Sequence, residues 1–298
     1  MNQEHENKGK EMIKMVIEKF RLFLGLIKFK HTVFALPFAY LGMMMARKSW
    51  PSWGVFFWVT AAMVGARTAG MTLNRILDRA MDAKNPRTSN RPTVTGEISV
   101  PVAWGGVVLS LAVFFFSAWI LNPLCFRLSP FALIFLVGYH AVKRFSFLCH
   151  FTLGATLAIA PMGGWIGATG SFAWQSVPLS LAVLFWVAGF DILYSLQDMD
   201  FDRAYGLHSI PARFGQHRAL QVSRYCHLAT VIFLILFGLV LWLGALYWVG
   251  CAVAAILLKI EHGLVGDGNL EKINTVFFTI NGWIGILLLI FSFLEIFR

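Results

Sequence analysis

The sequence predicts an all-α integral membrane protein, and three observations carry that expectation. Hydrophobic residues make up 58% of the chain and charged residues only 13%, and the mean hydropathy is +0.68. A soluble domain of 298 residues could not hide so much apolar surface, because surface area falls too slowly with size. The apolar residues also come in blocks of about 20, the length that crosses the hydrocarbon core as a helix, rather than in short alternating strands.

Taken in order, the blocks predict nine transmembrane helices near residues 20–46, 53–80, 101–121, 130–145, 148–168, 178–200, 218–241, 245–263 and 275–296. Pro51, Pro101, Asn122-Pro123, Pro130 and Pro178 supply breaks between them, since proline removes a backbone donor and restricts the residue before it. No charge or proline marks the division near Trp242–Ala245. Ahead of this single domain, 20–298, lies a polar, basic segment, 1–19. It has no short apolar core with a small-residue cleavage site, so no cleavable signal peptide is expected. Cys125, Cys149, Cys226 and Cys251 are scattered without a CxxC spacing and are expected to be small apolar residues in or beside helices.

The formal net charge is +10, but its placement excludes nucleic acid as the reason. The basic residues sit in loops between apolar blocks. Twenty of the 25 fall on the side of the N-terminus and of the loops after spans two, four, six and eight. Arg47, Lys48, Arg127 and Arg298 fall on the other side, and Arg67 lies inside span two. Such asymmetry predicts a cell inner-membrane protein with its N-terminus and large loops in the cytoplasm. Nine spans would leave the C-terminus outside.

Two of those cytoplasmic helix ends carry carboxylates at helical spacing. Span two ends with Asn74, Asp78 and Asp82 in steps of four; span six ends with Asp191, Asp198 and Asp202. On a continuous helix each set lies on one face, and Asp200 points away. Carboxylates so placed repel one another unless a cation sits between them. Hard oxygen ligands suit Mg²⁺, which completes its shell with water and phosphate oxygens. Two facing sets could therefore hold a diphosphate through metal ions. The plainer alternative is solvated helix-end charge offset by Arg75, Arg79 and Arg203.

Cations follow each set. Lys84, Arg87 and Arg91 come after the first, His208 and Arg213 after the second, and Lys143-Arg144 end span four. Arginine matches phosphate oxygens bidentately and lysine neutralises charge on a leaving group. Each of these cations taken singly could equally be a charge that sets topology.

These residues are similar to a known family. Asn74-xxx-Asp78-xxx-Asp82, continuing through Asn85-Pro86-Arg87-Thr88 and Arg91-Pro92, resembles the first motif of the UbiA superfamily of intramembrane prenyltransferases. Asp191-Ile-Leu-Tyr194-Ser-Leu-Gln197-Asp198-Met-Asp200-Phe-Asp202 resembles the second. Tyr139 with Lys143-Arg144, and His31 to Ala39 in the first span, resemble further family features. The resemblance runs from about residue 26 to the end, and the 4-hydroxybenzoate polyprenyltransferase group looks most similar.

The resemblance implies nine helices around a central cavity, capped by the cytoplasmic loops after spans two and six. It implies Mg²⁺-dependent transfer of a polyprenyl group from its diphosphate to a small aromatic acid in respiratory quinone synthesis. Asn74, Asp78, Asp82, Asp191, Asp198 and Asp202 would hold the metal. Arg87, Arg91, Tyr139, Lys143, Arg144 and Arg213 would bind diphosphate, with Lys143, Arg144, Arg67 and Asp191 in catalytic roles. One departure concerns the acceptor: many ubiquinone enzymes have Lys before the second-loop Ser, where this chain has His208-Ser209-Ile-Pro211. That stretch is similar to a subgroup acting on 1,4-dihydroxy-6-naphthoate in menaquinone synthesis.

Arg67 lies seven residues before Asn74 on the same helix face. Charges at depth are costly and usually face a cavity, so Arg67 is expected to meet the acceptor's carboxylate or Asp191, or to pair structurally with another helix. His31, His140 and His262 are either a base or interfacial histidines. A cation-coupled transporter is the rival of another class, but its charges should lie near the bilayer midplane in two halves. A phosphatidyl-alcohol transferase would need a D-G-x-x-A-R signature that is missing here.

Overall fold

The computed structural model describes residues 32–266, 273 and 279–298. The expectations for the 1–19 segment, the start of the first span, His31 and Lys272 lie outside these residues. Among the described residues the chain is helical, with no strand. The elements are α1 (Thr32–Met45), α2 (Trp53–Leu77), α3 (Arg79–Asp82), α4 (Pro92–Thr95), α5 (Val100–Leu121) and α6 (Pro123–Val142). They continue with α7 (Cys149–Thr169), α8 (Val177–Ser195), α9 (Met199–Ala204), α10 (Ile210–Val240), α11 (Ala245–Val265) and α12 (Asn281–Ile296).

A helix occupies part of each of the nine expected ranges. By length and composition, six described helical runs can cross a membrane: α5, α6, α7, the run 174–204, α10 and α11. Their outer faces carry exposed apolar side chains such as Val108, Leu109, Phe131 and Ile134, each more than 60% exposed. Water would penalise that surface, whereas acyl chains cover it.

Lipid gives apolar helices little reason to associate, so they meet where small residues let backbones approach. A Cβ on Gly42 of α1 would stand 2.1 Å from the Pro161 carbonyl oxygen of α7, and one on Gly164 of α7 would stand 2.1 Å from the Ala39 oxygen. The two helices cross in direct contact at a point where neither glycine can be replaced without moving backbone. Beyond that crossing the core is conventional. Trp186, Phe237 and Tyr247 are fully buried, and the polar tips of Trp186 and Tyr247 find partners. Trp186 Nε1 donates to Asn281 Oδ1 at 2.8 Å, and the Tyr247 hydroxyl donates to the Leu234 carbonyl at 2.7 Å.

Three expectations about helix limits need correction. Span four was expected to begin at Pro130, but α6 begins at Pro123 and runs through Pro130 unbroken. The carbonyl left without a donor by Pro130 is that of Phe126, and the Ser129 hydroxyl donates to it at 2.7 Å. A side chain thus replaces the missing backbone N–H.

Span two is not one continuous helix to residue 80. It ends at Leu77, and Asp78 takes φ −93°, ψ 4° before α3 starts. Span six likewise breaks after Ser195 into a 3₁₀ turn, Leu196–Asp198, with Asp198 at φ −104°, ψ 5° before α9. Both aspartates sit in the sparsely populated bridge region. The placement of each set on one unbroken helix face therefore fails in detail.

Candidate active site

The helix breaks bring both carboxylate sets to a single polar cavity of about 310 Å³. Asn74, Asp78, Asp82, Asp191, Asp198 and Asp202 all line it, as do Arg67, Arg87, Arg91, Tyr139, Lys143 and Arg144. Asp200 lies outside, with a side chain 93% exposed. Arg213 is not brought to the cavity. Its guanidinium lies over the rings of Phe147 and Phe214, 5.1 and 5.6 Å from their centroids. The diphosphate role expected for Arg213 has no geometric basis here.

Within the cavity the carboxylates take cationic or hydrogen-bonding partners. Arg91 meets Asp82 at 2.5 Å, Arg144 meets Asp78 at 3.2 Å, and Lys143 meets Asp202 at 2.8 Å. Lys143 and Arg144 are adjacent in sequence yet serve opposite sets. Asn74 Nδ2 donates to Asp78 Oδ2 at 2.7 Å, and Arg75 donates to Asn74 Oδ1 at 2.8 Å. Arg87 reaches across from the loop after α3, donating from Nε to Asp198 Oδ1 at 2.9 Å and from its terminal nitrogen to Oδ2 at 2.5 Å. This is the bidentate fork that lysine cannot make. The Tyr194 hydroxyl accepts from Arg87 at 3.0 Å.

These pairs shift the groups at the cavity mouth. Burial holds the Asp78 carboxyl above its usual range, although the hydrogen bond from Arg144 pulls the other way. Burial alone would lower Arg87 and Lys143. The carboxylates of Asp198 and Asp202 outweigh it and raise both, so both stay charged.

The oxygen donors are of the kind Mg²⁺ prefers, and they converge on one cavity. Among the described residues no three carboxylate, histidine or cysteine side chains gather tightly enough to hold an ion on their own. Such a donor set would suit a hard divalent ion that takes further ligands from a bound substrate.

Residues beyond the expected set complete the site. His150 Nδ1 meets Asp191 Oδ2 at 2.7 Å, while its Nε2 accepts the Ile210 backbone N–H at 3.3 Å. His150 thereby bridges Asp191 to the start of α10. No sequence pattern links His150 to Asp191, which lies on another helix. Asn85 Nδ2 donates to Asp198 Oδ1 at 3.1 Å, and Asn85 Oδ1 accepts the Arg87 backbone N–H at 2.9 Å. The Asn-Pro dipeptide was a readable signal for that turn.

Below the polar cavity lies an apolar one of about 200 Å³. Arg67, Met71 and Tyr139 line both. Among the described residues no ion pair joins Arg67 to Asp191, and Arg67 Nε is buried without a hydrogen-bond partner. Of the other histidines, His140 accepts from Asn74 Nδ2 at 3.2 Å and lines the polar cavity, whereas His262 pairs with His227 at 2.9 Å elsewhere.

Comparison with known proteins gives the same answer by an independent route. The model of the UbiA prenyltransferase family matches residues 35–283. A 4-hydroxybenzoate octaprenyltransferase of Methylobacillus flagellatus is 30% identical over 247 residues, 82% of each chain. One of Vibrio campbellii is 30% identical over 260 residues, 87% of this chain and 88% of that one. The apo structure of a UbiA homolog from Aeropyrum pernix K1 superposes with TM-score 0.80 at 36% identity, covering 87% of this chain and 95% of that one. A UbiA homolog from Archaeoglobus fulgidus, solved with GPP and Mg²⁺, shares the fold with TM-score 0.73 at 24% identity, covering 93% of this chain and all of that one. These matches give the transporter reading no support. A helical membrane fold, paired carboxylate sets facing one cavity, and a family match over most of the chain meet in one conclusion: the chain belongs to the UbiA prenyltransferase family and is an integral membrane prenyltransferase.

Proposed function

We propose that this protein transfers a polyprenyl group from polyprenyl diphosphate to the ring of 4-hydroxybenzoate, with Mg²⁺, at the cytoplasmic face of the inner membrane. The observation that carries the reading is the junction of the two cavities. A mixed-charge chamber suited to a metal diphosphate opens at Arg67, Met71 and Tyr139 onto an apolar chamber suited to an isoprenoid. The acceptor assignment draws further support from the names of the relatives.

Asn74, Asp78, Asp82, Asp191, Asp198 and Asp202 would hold the metal. When bound, it would neutralise the diphosphate and make it a better leaving group. Lys143, Arg144, Arg87 and Arg91 stabilise the charge that builds on the departing diphosphate, as cations already positioned around the chamber. The carbon left behind is an allylic cation, which water would trap. The loop holding Asn85 and Arg87 against Asp198 closes the chamber against that. The ring attacks the cation and loses a proton, restoring aromaticity. Arg67, deep in α2 with Nε unpartnered, is placed to receive the acceptor's carboxylate. All nine helical ranges would cross the bilayer, with the N-terminus in the cytoplasm and the C-terminus outside.

The test uses membranes containing the protein, Mg²⁺, a polyprenyl diphosphate, and either 4-hydroxybenzoate or 1,4-dihydroxy-6-naphthoate, with products read by mass. Prenylated hydroxybenzoate that disappears on chelation is the expected result. Product only from the naphthoate would move the acceptor to menaquinone synthesis. A product insensitive to chelation would remove the metal from the mechanism.

A further inference from the structure

We propose that His140 is the positioning residue of the first carboxylate set. As a neutral hydrogen-bond acceptor it fixes the carboxamide of Asn74, and through it the carboxyl of Asp78, in the orientation that offers their oxygens to a metal diphosphate. The proposal rests on the metal-dependent reading above and adds to it a residue outside both carboxylate sets.

The first observation is the orientation of an amide. An amide nitrogen only donates and an amide oxygen only accepts. The carboxamide of Asn74 stands between an anion and a cation, with Asp78 Oδ2 2.7 Å from its Nδ2 and an Arg75 nitrogen 2.8 Å from its Oδ1. Exchanging the two ends would set donor against donor at Arg75 and acceptor against acceptor at Asp78. The neighbours therefore settle which end is which. His140 Nδ1 lies 3.2 Å from that same Nδ2. Facing a group that can only donate, Nδ1 must accept, so the imidazole is neutral with its proton on Nε2. Both hydrogens of Nδ2 are then engaged, one by Asp78 and one by His140. Oδ1 takes one hydrogen bond, from Arg75, and keeps a second lone pair on a residue that lines the chamber.

The second observation is how the two helices bring these groups together. A Cβ on Gly70 of α2 would stand 2.8 Å from Leu136 Cδ1 of α6. Asn74 and His140 each lie four residues further on, one helical turn along the same faces. The close approach that glycine allows at one turn thus sets amide against imidazole at the next. The ring is only 6% exposed.

The third observation is what Asn74 holds in turn. Its side chain donates to the Asp78 carboxylate, and its carbonyl accepts the Asp78 backbone N–H at 2.9 Å. Asp78 sits in the break between α2 and α3, where a side chain takes its direction from hydrogen bonds rather than from a continuing helix. His140 therefore acts on Asp78 through Asn74.

The experiment compares wild-type protein with His140→Ala, His140→Asn and His140→Gln. The asparagine oxygen can take the place of Nδ1, whereas the glutamine amide extends to that of Nε2. Mn²⁺ binding is read by paramagnetic resonance on the purified proteins with geranyl thiolodiphosphate, a donor analogue that does not transfer. His140→Ala and His140→Gln should weaken Mn²⁺ binding by about tenfold to a hundredfold, and His140→Asn by no more than about threefold. The Mg²⁺ concentration for half-maximal transfer should rise in parallel, with the KM for 4-hydroxybenzoate unchanged. Should the alanine variant fail to fold, asparagine against glutamine decides the matter alone. Equal weakening in every variant would make the ring a packing residue and overturn the proposal, as would no weakening in any. Failure of the metal-dependent reading itself looks different: wild-type protein with the analogue binds no Mn²⁺.

Discussion

The two carboxylate sets look alike in sequence but are held in different ways. The first is supported mostly from within its own stretch of chain. Asn74 donates to Asp78 four residues on and Arg91 meets Asp82 nine residues back, while His140 and Arg144, at or just past the end of α6, contribute from elsewhere. The second is supported from four places in the fold: His150 of α7 on Asp191, Asn85 and Arg87 on Asp198, Lys143 on Asp202, and Ser209 donating to Asp202 at 2.8 Å. The second set is thus held by residues that only folding brings together.

The largest expected effect tests the second set directly. Asp198→Ala should lower kcat/KM by about a thousandfold, since it removes an oxygen ligand and leaves Arg87 unpaired. Asp200→Ala, at an exposed carboxylate, should change it by no more than about twofold. Equal losses at equal protein levels would break the distinction between buried and exposed aspartates.

A smaller effect separates the loops. Arg87→Lys should cost about tenfold to a hundredfold, because lysine cannot span both oxygens of Asp198. It should also speed hydrogen exchange over residues 83–91 in the absence of ligand. Arg91→Lys should leave exchange in that loop nearly unchanged, since its partner Asp82 lies at the end of α3 within the same segment. Matching exchange in the two variants would mean that the cross-site contact does not hold the cap.

The smallest effect divides adjacent residues. Lys143→Met should reduce activity more than Arg144→Met, by about tenfold. Lys143 meets an Asp202 side chain with no exposure, whereas Arg144 is half exposed and its pair with Asp78 is screened by solvent. Rates measured at low and high salt sharpen the point, because the Arg144 contribution should fade with salt and the Lys143 contribution should persist.

Residue patterns account for part of this site. The convergence of Asp78, Asp82, Asp198 and Asp202 on one cavity was readable because helical spacing and membrane sidedness are properties of the chain itself. Their support by an unbroken helix face was not correct, since Asp78 and Asp198 sit at breaks that no proline or glycine announces. His150 escaped notice because a histidine at the start of a span has no local feature tying it to Asp191 at the far end of the next helix. Arg213 was drawn into the site by charge and proximity in sequence, whereas its guanidinium packs over Phe147. The break between α10 and α11 has no charge or proline either. There Trp242 takes a φ of 53°, Lys48 donates to the Leu241 carbonyl at 2.8 Å, and Glu295 of the last helix accepts the Leu246 backbone N–H at 2.9 Å.

Composition alone determined that this protein lives in a bilayer as helices, because unpaired backbone and exposed apolar surface leave no other solvent for it. The spacing of a few acids determined what those helices carry. Tertiary structure decided which helices touch and which cation meets which carboxylate. Those outcomes depend on approach distances of an ångström or two between segments far apart in the chain, and hydrophobic periodicity encodes a helix's faces without encoding what will stand against them.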